Sequence, residues 1–248
     1  MNVALSAVVF VPGLAVGSFL NVVAARVPRQ RSIVSPGSAC MSCGHELSWH
    51  ENIPIFSWVA LRGRCKSCGE RIGVVYPAVE LVTALLIAAC FFTFGWSGMS
   101  FVASFFCAVL VTVSATDLSH RIIPNVVVLP AAAIVLVAMT LLYPSPEWAL
   151  AAFGASLFLF LAALAYPKGM GMGDVKLALL LGAMLGRTVP IALMVGMLAA
   201  LVPSFVLFAR HGMAARKMGI PFGPFLALGG VVALFWGAAI LDEYLSSF

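Results

Sequence analysis

Apolar residues along the chain fall into eight runs, separated by short polar segments and by one long one. The runs cover residues 3–25, 74–94, 99–116, 126–143, 148–166, 173–185, 189–209 and 222–241. A helix that crosses the hydrocarbon core of a bilayer needs about 20 predominantly apolar residues. The pattern therefore predicts an all-α polytopic membrane protein with about eight transmembrane helices, of which the sixth is short.

The long polar segment divides the chain into three predicted parts. Residues 1–25 form a first transmembrane helix, residues 26–73 a small soluble domain, and residues 74–248 a core embedded in the membrane. The first run has no basic residue before its apolar stretch, and its charge begins only at Arg26. A cleaved signal peptide has the opposite arrangement, so we expect this helix to be retained.

Composition supports a membrane protein and excludes several other classes. Of the 248 residues, 62% are hydrophobic and only 9% are charged, whereas an average soluble domain has about 45–50% apolar and about 25% charged residues. Such a chain cannot cover a water-facing surface. The sequence therefore excludes an ordinary soluble domain, a disordered protein and a nucleic-acid binder, although its net charge is +5.

The basic residues orient the predicted helices. Thirteen of the 14 lysines and arginines lie in alternate loops, at 26–73, 117–125, 167–176 and 210–221, and only Arg187 lies in the others. Because loops on the inner side of a membrane are enriched in Lys and Arg, these loops are predicted to be cytosolic and the N-terminus to lie outside. The basic surface of the 26–73 loop is expected to contact anionic headgroups of the lipid bilayer.

Four cysteines in the 26–73 loop have the spacing of a metal site. They form two C-x-x-C pairs with 21 residues between them, and a glycine follows each pair: Cys40, Cys43, Cys65 and Cys68, then Gly44 and Gly69. Four thiolates at this spacing close a tetrahedral Zn²⁺ site. Two disulfides are the alternative, which a reducing cytosol disfavours. We predict a zinc-ribbon-like insert stabilised by structural Zn²⁺.

The remaining histidines and cysteines near these features have simpler interpretations. His45 and His50 lie beside the first pair, but four thiolates already complete a ligand set, so both are expected to be surface or outer groups. Cys90 and Cys107 fall inside apolar runs and are expected to be small buried hydrophobic residues.

Two aspartates lie at membrane depth and are the candidate catalytic residues. Asp117 directly follows the apolar run 99–116, and Asp174 follows Gly171-Met172-Gly173. A helix cap, or a partner for Arg121 or Lys176, would explain either one alone. Two ionisable groups at the same predicted membrane face favour a function. Two carboxylates that share a proton can act as general base and general acid in the hydrolysis of a peptide bond.

Other chemistries fit the sequence less well or need a different test. No Ser–His–Asp or Cys–His arrangement is credible, because the histidines lie in loops and the membrane cysteines have no nearby base. A proton-coupled transporter could also use Asp117 and Asp174, and a non-catalytic scaffold would need neither of them. Cleavage of a protein substrate distinguishes the peptidase from both alternatives.

The motifs together resemble those of the type IV prepilin peptidases, membrane aspartic proteases of the GxGD kind. The resemblance rests on Asp117-Leu118 with Pro124-Asn125 and on GMGDVKL at 171–177. It also includes GSFLNV at 17–22, RVP at 26–28, NIP at 52–54, LRGRC at 61–65, YPxxE at 76–80 and PFGPFLALG at 221–229. It therefore runs nearly from end to end.

This resemblance implies a multi-pass enzyme of the bacterial inner membrane, with a periplasmic N-terminus and its active site at the cytosolic face. Members cut the leader from type IV prepilins or type II secretion pseudopilins, with Asp117 and Asp174 as the catalytic pair. Members with the four-cysteine domain also methylate the new N-terminus with S-adenosylmethionine. Peptidase activity alone is the alternative.

The sequence shows no nucleotide-binding loop, so methylation and its cofactor rest on the resemblance alone. The glycine-rich run at 223–230 is expected to be a place of close helix packing. Recognition of a basic leader would need acidic groups on the cytosolic side, for which the candidates are Glu46, Glu51, Glu70 and Glu80.

Overall fold

The computed structural model describes residues 2–166, 170–212 and 219–247. Nine α-helices lie in these ranges: α1 Asn2–Arg26, α2 Phe56–Ala60, α3 Val75–Phe94, α4 Gly98–His120, α5 Asn125–Leu142, α6 Glu147–Ala165, α7 Met172–Leu185, α8 Val189–His211 and α9 Gly223–Ser246. Every predicted apolar run corresponds to one of them, and α2 lies in the polar insert. The all-α prediction is confirmed.

Seven helical stretches in the described residues are long and apolar enough to cross a membrane. One of them is the 40-residue stretch Met172–His211, in which a short 3₁₀ turn, Gly186–Thr188, separates α7 from α8. Helix α7 has only 14 residues, about 21 Å of helix. It is short, as predicted, and nearly every side chain from Asp174 onward is buried by other helices.

The chain divides into two compact units, Met1–Ala115 and Thr116–Phe248. In the first unit, α1 packs along α3. Gly13 and Gly17 permit this close contact, because a Cβ at Gly17 would lie 2.6 Å from the Cα of Glu80 and one at Gly13 would lie 2.8 Å from the Cα of Ala84. Two glycines four residues apart form a small-residue stripe of the kind found between membrane helices.

The insert between α1 and α3 has little regular structure. Hydrogen bonds fasten its loops to the helices: Arg26 at the end of α1 donates to the carbonyls of Ser32 and Gly37, and the backbone N–H of Ile55 donates to Glu80 on α3. The Asn21 amide joins α1 to α3 directly, through the carbonyl of Tyr76. The Trp58 indole donates to the carbonyl of Ile72 over 3.0 Å. These bonds hold the insert against the ends of α1 and α3.

In the second unit, α7 lies between α5, α6 and α9, and α8 packs along α9. Glycines allow these contacts. A Cβ at Gly182 would lie 2.6 Å from the Cα of Ala152 on α6, and one at Gly229 would overlap the carbonyl oxygen of Ala192 on α8. The expectation that the 223–230 run packs closely against another helix is confirmed.

Three of the predicted cytosolic basic residues, Lys168, Arg216 and Lys217, lie outside the described residues.

Both cysteines of the apolar runs lie within the described residues. Cys90 and Cys107 are completely buried, with their Sγ atoms 3.9 Å apart. Their interpretation as buried small residues is confirmed.

Candidate active site and metal site

Asp117 lies in the last turn of α4. The helix ends at His120, Arg121 then adopts a left-handed conformation with φ 54°, and Pro124 directly precedes α5. The Asp117 side chain is buried, and its Oδ2 accepts a 2.9 Å hydrogen bond from the backbone N–H of Gly223. Because Gly223 is the first residue of α9, the carboxylate lies at the positive end of that helix.

Asp174 occupies the first turn of α7. Its Oδ2 accepts the backbone N–H of Gly171 over 3.2 Å, while its own N–H donates to the Gly171 carbonyl. This is the reciprocal bonding of a helix cap, which the sequence left open as an alternative role. The side chain is 7% exposed, and it interacts electrostatically with the carboxylate of Asp117. The structure therefore brings the two predicted aspartates together within one unit.

Two glycines of this site have no room for a side chain. A Cβ at Gly223 would lie 2.9 Å from Oδ2 of Asp117, and one at Gly173 would lie 2.8 Å from the Cβ of Ile123. The first contact keeps the α9 N-terminus on the Asp117 carboxylate. The second keeps the start of α7 against the segment that follows α4.

The sequence indicated the two carboxylates but not the residues that position them. Gly223 is 106 residues from Asp117, and Lys176 on α7 donates a 2.8 Å hydrogen bond to Asn125 at the start of α5. His120, three residues after Asp117, has a buried Nδ1 with no hydrogen-bond partner among the described residues. The quoted motifs contained Gly223, Asn125 and Lys176, yet no pattern in them indicated these pairings.

The four predicted metal ligands form one cluster in the insert. The Sγ atoms of Cys40, Cys43, Cys65 and Cys68 all lie within 4.8 Å of one another. Two pairs across the cluster are separated by 3.8 and 4.0 Å. Four sulfurs about 2.3 Å from one Zn²⁺ in tetrahedral geometry lie about 3.8 Å apart, so this cluster could hold a metal ion of that size.

Each cysteine pair is a tight turn of the same construction. The N–H of Cys40 donates to His45 and that of Cys65 to Glu70, over 2.9 and 2.8 Å, and an isolated antiparallel bridge closes each turn. Gly44 and Gly69 have φ of +73° and +72°, which side chains rarely allow. Hydrogen bonds from the backbone N–H groups of Cys43 and Ser42 lower the pKa of the Cys40 thiol to about 6.

A buried carboxylate supports the first turn from inside the insert. Oε2 of Glu51 accepts hydrogen bonds from the backbone N–H and the hydroxyl of Ser48, at 2.9 and 3.0 Å. These bonds lower the pKa of Glu51 to about 2. His45 lies 3.2 Å from the same oxygen, so it pairs with Glu51 and stands outside the thiol cluster. Lys66 lies 3.7 Å from the other oxygen.

The two sites offer different chemistry. The second unit has paired, water-shielded carboxylates, each hydrogen-bonded through one oxygen to a helix N-terminus, which suits general acid–base work on a bound substrate. The first unit has a four-thiolate cluster with no further ligand position, which is typical of structural metal sites.

Comparison with known families gives two matches that together cover most of the chain. Residues 11–94 match the bacterial peptidase A24 N-terminal domain, and residues 104–207 match the type IV leader peptidase family. No solved structure matches the chain.

Known proteins match over most or nearly all of this chain. The prepilin leader peptidase/N-methyltransferase of Bacillus subtilis is 38% identical over 96% of this chain and 97% of that protein. The protein of the same name from Pseudomonas aeruginosa is 36% identical, over 94% of this chain and 91% of its own. That of Myxococcus xanthus is 44% identical over 71% of this chain and 55% of its own.

Proposed function

Because the chain belongs to the type IV leader peptidase family, peptidase A24, we propose that it removes the leader peptide from type IV prepilins or type II secretion pseudopilins and then methylates the new N-terminal residue. The observation that carries the proteolytic part is the pair of buried, electrostatically coupled carboxylates of Asp117 and Asp174. Family membership favours this reading over a proton-coupled transporter.

In this proposal the two aspartates divide the chemistry of peptide hydrolysis. Like charges close together cannot both ionise easily, so the pair shares one proton. The ionised carboxylate takes a proton from water as the water oxygen attacks the scissile carbonyl carbon. The protonated carboxyl gives its proton to the leaving nitrogen as the C–N bond breaks. The helix N-termini at Gly171 and Gly223 hold each carboxylate by one oxygen, leaving the other oxygen for water or substrate.

The proposed position of the two aspartates, at the cytosolic face of the membrane, suits a prepilin substrate. A prepilin is an apolar helix within the bilayer, with its basic leader on the cytosolic side. We place the N-terminus of this chain in the periplasm and both aspartates at the cytosolic face of the inner membrane, because of the distribution of lysine and arginine. Glu46 and Glu70 of the insert are exposed and could meet a basic leader, whereas Glu51 and Glu80 are buried.

The four cysteines are proposed to bind structural Zn²⁺. The metal would crosslink the two turns, and its binding free energy would contribute to the folding of the insert. Cys40, Cys43, Cys65 and Cys68 provide all four ligands, so no open position remains for catalysis by the metal. S-adenosylmethionine is the proposed methyl donor, and it supplies an activated methyl group.

The decisive experiment is co-expression with a prepilin, followed by mass spectrometry of the mature N-terminus. We expect cleaved and methylated product from the wild type and uncut precursor from Asp117→Asn and Asp174→Asn. Asp242→Asn is a matched control, because Asp242 is exposed near the end of α9. Cleavage by either active-site variant at the wild-type rate would show that the aspartate mechanism is wrong. Proton flux without cleavage would indicate the transporter.

A further inference from the structure

The first unit contains a cavity of about 310 Å³ that the proteolytic chemistry does not use. Its wall is made by the end of α1, the start of α3 and the insert between them. It includes Asn21, Arg26, Glu51, Trp58, Tyr76 and Glu80. Its volume lies at the lower end of the range of small-molecule sites, and such sites combine an apolar lining with a few fixed polar groups.

Glu80 is the most unusual group in this wall. It is a carboxylate on a membrane helix, only 8% exposed. Its Oε2 accepts the backbone N–H of Ile55 over 2.8 Å, and the hydroxyl of Ser18 on α1 also donates to it. The absence of a side chain at Gly17 lets α1 approach the backbone of Glu80 closely enough for these contacts. A buried acid that is held in place and lines a cavity is a candidate functional group.

The segment that donates to Glu80 is strained. Ile55 has φ 60° and ψ −50°, and Phe56 N–H bonds to the carbonyl of Pro54 over 2.6 Å. This is a γ-turn of the rare kind, with a β-branched residue at its centre. Such strain is kept when the surrounding structure requires that conformation, and it concentrates at functional sites. Here it aims an N–H group at the Glu80 carboxylate inside the cavity wall.

The wall fits the chemical character of the proposed methyl donor. S-adenosylmethionine combines an aromatic base with a sulfonium, an ammonium and a carboxylate. The residues of the same wall include the aromatic Trp58 and Tyr76, the acidic Glu51 and Glu80, and the basic Arg26. Oε1 of Glu51 is buried and accepts no hydrogen bond among the described residues, although the Lys66 ammonium lies 3.7 Å from it.

We propose that this cavity is the methyl-transfer site and that Glu80 is the carboxylate that receives the terminal amine of the cleaved substrate. The inference rests on the proposed methyltransferase function and assigns that function to this cavity. It also separates the two activities, because Glu80 belongs to the Met1–Ala115 unit and the paired aspartates belong to the Thr116–Phe248 unit.

The proposed methyl transfer conserves protons and bonding electrons. Glu80 accepts one proton from the terminal ammonium, which leaves a neutral amine. The amine lone pair forms the new N–C bond as the donor's S–C bond breaks, and the sulfur keeps the bonding pair as a neutral thioether. The product is a secondary ammonium, and Glu80 returns its proton to water. No oxidant or reductant is needed.

Glu80→Gln tests the role of the carboxylate. The amide oxygen can still accept the Ile55 N–H, so the local structure is kept while the proton acceptor is removed. We expect methylation of a pre-cleaved pilin peptide to fall at least about 100-fold, the size of a general-base contribution. Cleavage of prepilin and zinc content are expected to stay within twofold of wild type. Glu243→Gln, an exposed acid near the end of α9 that does not line the cavity, is the matched control.

Binding gives a readout that does not depend on turnover. Gly73 lines the cavity, and a Cβ there would meet no atom within 4 Å, so Gly73→Phe adds bulk without a clash at its base. We expect it to weaken binding of sinefungin, a non-reactive analogue of the donor, at least 10-fold. Gly37→Phe is the control, since Gly37 also has open space and does not line the cavity. Glu80→Gln should bind sinefungin within threefold of wild type.

The outcomes separate this inference from the proposed function. A wild type that neither cleaves nor methylates would reject the proposed function as a whole. A wild type that cleaves but neither methylates nor binds sinefungin would reject methyl transfer and this inference with it. If the wild type methylates and both Glu80→Gln and Gly73→Phe do so at the wild-type rate, the inference alone is wrong. Lost methylation in both, with cleavage intact, would support it.

Discussion

Gly223 tests the geometry around Asp117 most directly, because its N–H holds the carboxylate and its missing side chain leaves room for it. A Cβ would lie 2.9 Å from Oδ2 and 3.3 Å from Cγ of Asp117. We expect Gly223→Ala to displace the carboxylate and lower kcat/KM for prepilin cleavage at least about 10-fold, since small misplacements of catalytic groups are costly. The measurement is steady-state cleavage of a prepilin in detergent.

Gly154→Ala is the control for that substitution. Gly154 lies in α6 of the same unit, and a Cβ there would meet nothing within 4 Å. We expect cleavage by this variant to match the wild type. Equal activity in Gly223→Ala would mean that the contact with Asp117 does not set the position of the carboxylate.

The hydrogen bond between Lys176 and Asn125 predicts an energetic coupling across the site. It joins α7, two residues after Asp174, to the first residue of α5. Lys176→Met and Asn125→Ala should each lower cleavage several-fold. The double variant should be little worse than either single one, because all three lose the same bond. A coupling of about 0.5–1.5 kcal/mol is typical of one hydrogen bond. Fully additive effects would show that the pair does not act as a unit.

Among individual residues, the sequence allowed the two carboxylates to be predicted but did not indicate their hydrogen-bond partners. Asp117 and Asp174 were recognisable because an acidic residue at membrane depth, with glycine or proline close to it in the sequence, is unusual. The bond from Gly223 to Asp117 spans 106 positions, and its existence depends on how α9 packs in the fold. The hydrogen bond from Ile55 to Glu80 is hidden in the same way, because no local pattern signals a γ-turn there.

Among the elements, the insert is the one whose stability should depend on a metal. We expect about one Zn²⁺ per chain, and its loss when Cys40 or Cys65 is replaced by serine, measured by elemental analysis. Both cysteines also line the cavity. Methylation should therefore fall further than cleavage in these variants. A metal-free wild type with four reactive thiols in the insert would contradict the prediction.

Glu51 gives the insert a predictable dependence on pH. Its pKa in the fold is about 2, below the value of about 4.3 for an unfolded chain. The carboxylate therefore stabilises the fold above about pH 4.3, and this contribution disappears as the pH falls towards 2. Glu51→Gln should lower the thermal midpoint of the insert at pH 7, and its difference from the wild type should narrow by pH 3. Glu46→Gln, an exposed control, should show no difference at either pH. If the difference in thermal midpoint between the wild type and Glu51→Gln did not change with pH, the charge of Glu51 would not be the cause of the difference.

The helices themselves were largely predictable, because a run of apolar residues determines a membrane helix almost alone. The predicted bounds differ from the observed ones by a few residues. Length was a weaker criterion than hydropathy, as helix α7 shows. It has only 14 residues, and neighbouring helices bury nearly all of its side chains. Because it is buried in protein, its length does not have to match the thickness of a bilayer. Helix α2 in the insert was not predicted, since five residues are too few to show a period.

For the whole molecule, composition was sufficient to predict a membrane protein, and the orientation inferred from charge distribution stays a prediction. Neither indicates how the chain divides into units. The boundary falls within α4, at residues 115 and 116, where the apolar run is continuous and no change in composition marks it. The long polar insert suggested a separate part at 26–73, yet its hydrogen bonds run to α1 and α3, and residues of all three line the cavity.

Orientation is the prediction that applies to the entire chain, and reporter fusions measure it. The loops that hold thirteen of the 14 lysines and arginines should remain in the cytosol, since positively charged segments near membrane helices resist translocation. Fusions after Arg71 and after Lys217 should report a cytosolic position, and a fusion after Ser145 a periplasmic one. The opposite result at any of the three positions would overturn the topology. It would also remove the aspartates from the face where a prepilin presents its leader.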